Sequence, residues 1–301
     1  MERINSQTIL AKRRSKQRKQ KLVRGLAIVL ALMVIWKFFG SAVTWIRQWQ
    51  SDEVYDVSAE NMSVHGEKEK APKKFSEAQI TNELSRLSKK NQTYESIYNN
   101  RAEYPTVLLR SLCNNSEMLN FVAGYLIADK SAHGELTKKE CEGKIPLLLQ
   151  WDRRWGYVSY GSSDIGLSGC APTCLSMVIV GLTGNRNATP DKIAEYAQEN
   201  GYYLKGTGTS WRLTEGASYL GVEGREISLS KKTVQTALQQ GQPIICSVGP
   251  GDFTTEGHFI VLTGMKYGKI KVNDPNCIRR SCLWDYEVLE PQIKNLWAYC
   301  R

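Results

Sequence analysis

The chain has 301 residues and a formal net charge of +10, enough for one domain of ordinary size with appendages. Of that charge, +8 falls in residues 1–24, where nine Lys and Arg stand against Glu2 alone. The basicity is therefore a tail property, which excludes a basic nucleic-acid-binding face over the remaining body.

Directly after the basic tail, Gly25–Ile46 carries one charge, Lys37. At ~1.5 Å per residue such a helix crosses a hydrocarbon core about 30 Å thick. Trp36, Trp45 and Trp49 suit an interface, and Lys37 can snorkel. The pattern predicts one transmembrane helix over residues 25–47, with the tail 1–24 cytoplasmic and the rest outside by the positive-inside rule. The shorter run Gly25–Trp36 could alternatively be the core of a cleaved signal peptide, but no small-x-small site followed by polar sequence ends it. Residues 48–75 are polar, charged and aperiodic, and read as a linker.

A small helical region is expected over residues 76–143. SEAQITNELSRLSKK places Ile80, Leu84 and Leu87 at helical spacing. YPTVLLRSLC and NNSEMLNFVAGYLIAD read as two further helices, with Pro105 at one start and Ser116 as N-cap before Glu117 at the other. From about residue 144 to 301 the texture changes. KIPLLLQWDRRWGYVSYG reads as strand, CAPTCLSMVIVG as a helix from Cys170 to Gly181, and ATPDKIAEYAQENG as a helix from Thr189 to Gly201. Further helices are expected over 210–221 and 230–241, and PIICSVG, HFIVLTG and KIKVND read as strands. Helices early and strands late predict an α+β domain with an antiparallel sheet.

A helix beginning at Cys170 puts that sulfur among unsatisfied backbone N–H groups, where the helix dipole favours a thiolate. Pro172 is tolerated only in such a first turn. Cys174 lies one turn deeper, with Val178 and Leu182, and reads as packing; the plainer alternative makes both cysteines small core residues. A thiol nucleophile wants a histidine, and of the three in the chain only His258 falls in the same region, at the head of GHFIVLTG. Its bland alternative is a core histidine bonded to a carbonyl. Asp274, across a predicted hairpin, is placed to orient that ring, with Asp285 a distant second choice; a turn before proline would by itself also place an aspartate there. The Cys170 amide and Gln150 are candidate oxyanion donors. Zinc is the rival chemistry, with Cys170, Cys174, Cys277 and Cys282 as ligands, but it requires two distant pairs to converge and Cys174 to turn out of the core. GTGTSW (206–211) lacks the lysine of a phosphate loop. In an oxidising exterior, eight cysteines invite disulfides, with Cys277–Cys282 and Cys113–Cys141 as pairings the spacing permits.

QWDRRWGYVSYG, GCAPTCLSMVIVGLTG, GTGTSW, GQPIICSVGPGDFTTEGHFIVLTG and KVNDPN, in this order over residues 144–300, together resemble the C-39-like cysteine peptidases, relatives of the bacteriocin-leader peptidases in the papain-like group. The resemblance implies a papain-like α+β fold with the cysteine helix packed on an antiparallel sheet. It implies Cys170 as nucleophile, His258 as base, Asp274 as its orienting partner and Gln150 as oxyanion donor, with no cofactor and no metal. It departs from the leader peptidases in having no nucleotide-binding motif and an apparently external domain. The expected protein is a membrane-anchored extracellular cysteine peptidase acting on peptides or proteins. A cell-wall amidase or endopeptidase with the same three residues, and an inactive surface-binding module, are the alternatives.

Overall fold

The computed structural model describes residues 69–142, 144–205 and 208–301, all belonging to the unit Val57–Arg301. The transmembrane helix expected over 25–47, the tail 1–24 and most of the linker lie outside these residues. Among the described residues no helix is long and apolar enough to cross a membrane.

The described residues begin with four α-helices: α1 (Glu77–Ser88), α2 (Gln92–Asn99), α3 (Thr106–Asn114) and α4 (Leu119–Gly124). A capping box starts α1: the Ser76 hydroxyl accepts from the Gln79 amide while the Gln79 side chain accepts from the Ser76 amide. Pro105 precedes α3 as expected. The cap before α4 is Asn115 rather than Ser116: the Asn115 side chain takes the Glu117 amide and leaves the Glu117 carboxylate for another task. Helix α2 had no strong apolar period to announce it; only Tyr94 and Ile97 are buried. The four helices enclose Ile80, Leu84, Ile97, Leu108, Leu112 and Phe121, and the same cluster continues into Leu149, Trp151 and Tyr157.

Beyond residue 144 a six-stranded antiparallel sheet forms from β1 (Glu223–Glu226), β2 (Ile244–Val248), β3 (His258–Lys266), β4 (Lys269–Asn273), β5 (Leu283–Trp284) and β6 (Ile293–Cys300). The spatial order is β1-β6-β2-β3-β4-β5. Every residue of β2 is buried because both faces are covered. Helices α5 (Cys170–Thr183) and α6 (Pro190–Glu199) build the core on one face with Ile245, Val261, Trp297 and Tyr299. Helix α7 (Lys231–Gln239) covers the other, where Ile244, Cys246, Ile260, Leu262 and Val272 point. The expected helix packed on an antiparallel sheet is thus present.

Helix α5 is buried without interruption from Ala171 to Val180, as a helix apolar all round must be. It ends at Gly184 in the left-handed conformation, φ 71°. Two expected elements differ. The segment 144–150 is extended but joins no sheet. Its carbonyls at Ile145 and Pro146 accept from the Asn273 side chain, and its Gln150 amide donates to Pro275. The helix expected over 210–221 is one α-turn, Arg212–Glu215, followed by a 3-10 stretch, Gly216–Leu220. The break falls at Gly216, where a β-carbon would come within 2.6 Å of the Tyr202 hydroxyl. No disulfide joins the eight cysteines.

Candidate active site

The site is assembled where the N-terminus of α5 meets the start of β3. Gly169 precedes the helix, and the first intrahelical-type bond runs from the Thr173 amide to its carbonyl. The Cys170 amide, at the first helical position, has no carbonyl behind it within its own helix. Cys170 is partly exposed, whereas Cys174 is fully buried in the core and burial pushes its thiol well above the ordinary range. The two cysteines of one helical turn are therefore chemically distinct.

His258 is 8 % exposed and stands across from Val248 at the first residue pair of β2 and β3. Its Nε2 donates to Asp274 Oδ1 at 2.7 Å. The other ring nitrogen is not used by Asp274, and Cys170 lies near enough to the imidazole to favour its charged form. Burial works against a charge on this ring. The Asp274 carboxylate, through its charge and hydrogen bond, and the Cys170 sulfur outweigh it and push the histidine up to about 10.

Asp274 is fully buried one residue past β4. Pairing of Val261 with Asn273 sets the hairpin register that brings it toward His258. Its Oδ1 also accepts from the Asn276 amide at 2.8 Å, and its own amide donates to Ser281 Oγ at 2.8 Å. Asp285, the second choice for this role, instead pairs with Lys269 at 2.7 Å.

Gln150 is buried, with its amide nitrogen donating to the Gly166 carbonyl at 2.9 Å. A primary amide has two N–H bonds, so one remains uncommitted among the described residues. Its Oε1 is buried with no partner. The backbone bond from Gln150 to Pro275, 2.8 Å, ties this side chain's base to the turn that carries Asp274.

Three neighbours carried no sequence signal. Tyr160 is close enough to feel Cys170. Burial pushes its phenol up to about 12, a bond to Thr209 at 2.7 Å opposes this, and the sulfur's charge adds to it. Arg280, 1 % exposed, puts Nη1 3.8 Å from Asp274 Oδ2, within ion-pair range but too long for a hydrogen bond. Gln292 holds the loop before His258, accepting from the Asp252 amide at 2.6 Å and donating to the Asp252 carboxylate at 2.7 Å. Among the described residues, no three His, Cys, Asp or Glu side chains gather as a metal site would require.

Beyond residue 144 the unit is a domain of mixed helix and antiparallel sheet. Residues 143–299 match the model of the Peptidase C39-like family, which is more than half of the chain. The chain belongs to that family. Among solved structures it is similar to the peptidase domain of Streptococcus ComA, a bi-functional ABC transporter involved in a quorum-sensing pathway. The two share 21 % identity over 46 % of this chain and 93 % of that one, with a TM-score of 0.36. It is also similar to a Bacillus anthracis protein described as a C39-like peptidase, at 14 % identity, 56 % and 98 % coverage and a TM-score of 0.35. No curated protein gives a significant match.

Proposed function

We propose that this protein is a cysteine peptidase that hydrolyses peptide bonds through Cys170, His258 and Asp274 on a papain-like scaffold. The observation that carries the reading is the buried His258–Asp274 pair, bonded at 2.7 Å, with Cys170 at the start of α5 near enough to favour the charged imidazole. A thiolate paired with an imidazolium is the nucleophilic form of such a pair. Cys170 Sγ attacks the carbonyl carbon, and the oxyanion receives the Cys170 amide and the uncommitted N–H of Gln150. His258 passes its proton to the leaving amine as the C–N bond breaks, giving a thioester. Water, deprotonated by the same ring, then displaces the sulfur and releases the carboxylate. Asp274 holds the ring in the tautomer and orientation that both transfers need.

The basic tail and the apolar stretch 25–46 add a single membrane anchor to the proposal, with the catalytic domain outside. This part rests on the sequence. The test of the chemistry is a thiol-directed peptide probe. It labels wild type and Cys174→Ser and fails to label Cys170→Ala. Labelling that survives Cys170→Ala overturns the assignment.

A further inference from the structure

The loop 274–281 carries Asp274 at one end and is clamped in large part from outside the matched family region. The two oxygens of Glu117, on the turn before α4, accept from consecutive amides of that loop: Ile278 to Oε2 at 2.7 Å and Arg279 to Oε1 at 3.1 Å. The side chains of Asn115 and Trp151 both donate to the Asn276 carbonyl, at 2.5 and 2.8 Å. Arg279 reaches back to Ser116 Oγ at 3.0 Å. Within the loop, Ser281 Oγ bridges, accepting from the Asp274 amide and donating to the Cys277 carbonyl at 2.8 Å.

The clamped loop delivers a buried guanidinium. Among the described residues Arg280 makes one hydrogen bond to backbone, from Nη2 to Lys70 O at 3.2 Å, and its Nε has no partner. The nearest carboxylate is Asp274, whose Oδ2 is likewise buried and unbonded while Oδ1 serves His258. A cation is not placed in a dry interior to fill volume, since an apolar side chain does so without desolvation. Its position is explained by the carboxylate that it faces, which is aimed at the histidine.

We infer that Arg280 and Glu117 are positioning residues of the site. Glu117 fixes the loop, and the loop holds Arg280 against the Asp274 carboxylate, so the N-terminal helical region is part of the device that orients His258. This inference rests on the peptidase reading above.

The test is steady-state kinetics of the full chain on a peptide substrate, with wild type and Cys170→Ala first establishing cysteine-dependent turnover. Arg280→Met and Glu117→Ala are then expected to lose about 10- to 100-fold in kcat, with KM within about 3-fold, as misplacement of a reacting group does. Arg280→Lys is expected to recover part of the loss, which a volume-filling role does not predict. Glu117→Gln keeps the size and one acceptor, and is expected to fall between wild type and Glu117→Ala. It keeps the test open where the alanine variant does not fold, and thermal unfolding identifies such a case. Unchanged kcat in folded Arg280→Met and Glu117→Gln overturns the inference and leaves the peptidase reading intact. A wild type with no Cys170-dependent turnover ends both.

Discussion

The charge on His258 is the most consequential single quantity in the site. Burial penalises an imidazolium, yet the Asp274 and Cys170 side chains hold its titration at about 10. The pair's contribution to stability is therefore complete below the ordinary histidine value of 6.5 and is lost as pH rises through about 10. Asp274→Asn removes the main opposing charge and leaves burial in command. We expect the ring's titration in that variant to move down below 6.5, as read from its imidazole NMR resonances. A ring in Asp274→Asn that still titrated near 10 would assign the shift to something other than Asp274. At the same scale, Cys170 and Cys174 show what one helical turn does. The first has an unsatisfied amide and a histidine; the second has only core around it.

Among the elements, α5 and the hairpin β3–β4 were legible because each has a strong local signal. Helix α5 has its proline confined to the first turn and a glycine stop, and the hairpin has apolar strands around a tight turn. Strand β6 was not legible, although it lies between β1 and β2 inside the sheet. Its sequence IKNLWAYC breaks alternation, and a register shift between Ile293 and Asn295 accommodates the irregularity. Strand β1 has the sequence EGRE, whose polar residues suit an edge and give no apolar period. Cys170, His258, Asp274 and Gln150 were nameable from residue types in order. Arg280 and Glu117 were not, because their meaning lies in contacts across 6 and 161 positions of sequence.

The short turn Ile165–Ser168 that precedes α5 depends on a close approach. A β-carbon at Gly166 would come within 2.3 Å of the Phe121 ring, and the Gly166 carbonyl is the anchor of Gln150. Gly166→Ala is expected to destabilise by about 1–3 kcal/mol through overpacking. Phe121→Ala alone should cost about 3–5 kcal/mol, since that ring is buried and stacked on Tyr157 at 4.5 Å. In the double variant the alanine at 166 fits the space left by the ring, so the two costs should sum to more than the measured total. Urea unfolding of the four proteins measures this; strict additivity would show that the glycine is not held by the ring.

Across the whole unit, the core of the helical region continues into Leu149, Trp151 and Tyr157 of the following region, and the two regions are also fastened electrostatically. Arg154, 6 % exposed, donates to Glu140 and Asp152 at 2.8 Å each and to the Glu135 carbonyl at 3.1 Å. It therefore secures the segment that leads from α4 into the peptidase region. Burial opposes the charge on Glu140, but the Arg154 bonds, with those of Thr137, hold its carboxyl below the usual range. That contribution is present above pH 4.5 and is lost as pH falls through the lowered value. Arg154→Met leaves two partly buried carboxylates unpaired and is expected to cost about 3–5 kcal/mol at neutral pH. The deficit should shrink as pH falls and Glu140 takes up a proton. A pH-independent deficit in chemical unfolding would locate the loss in packing.

The hairpin that carries His258 at one end and leads to Asp274 at the other is a single covalent unit whose ends lie only 16 positions apart in sequence. The thiol comes from a different layer. Any movement of α5 against the sheet therefore changes the spacing between sulfur and imidazole and leaves the ring and its carboxylate moving together.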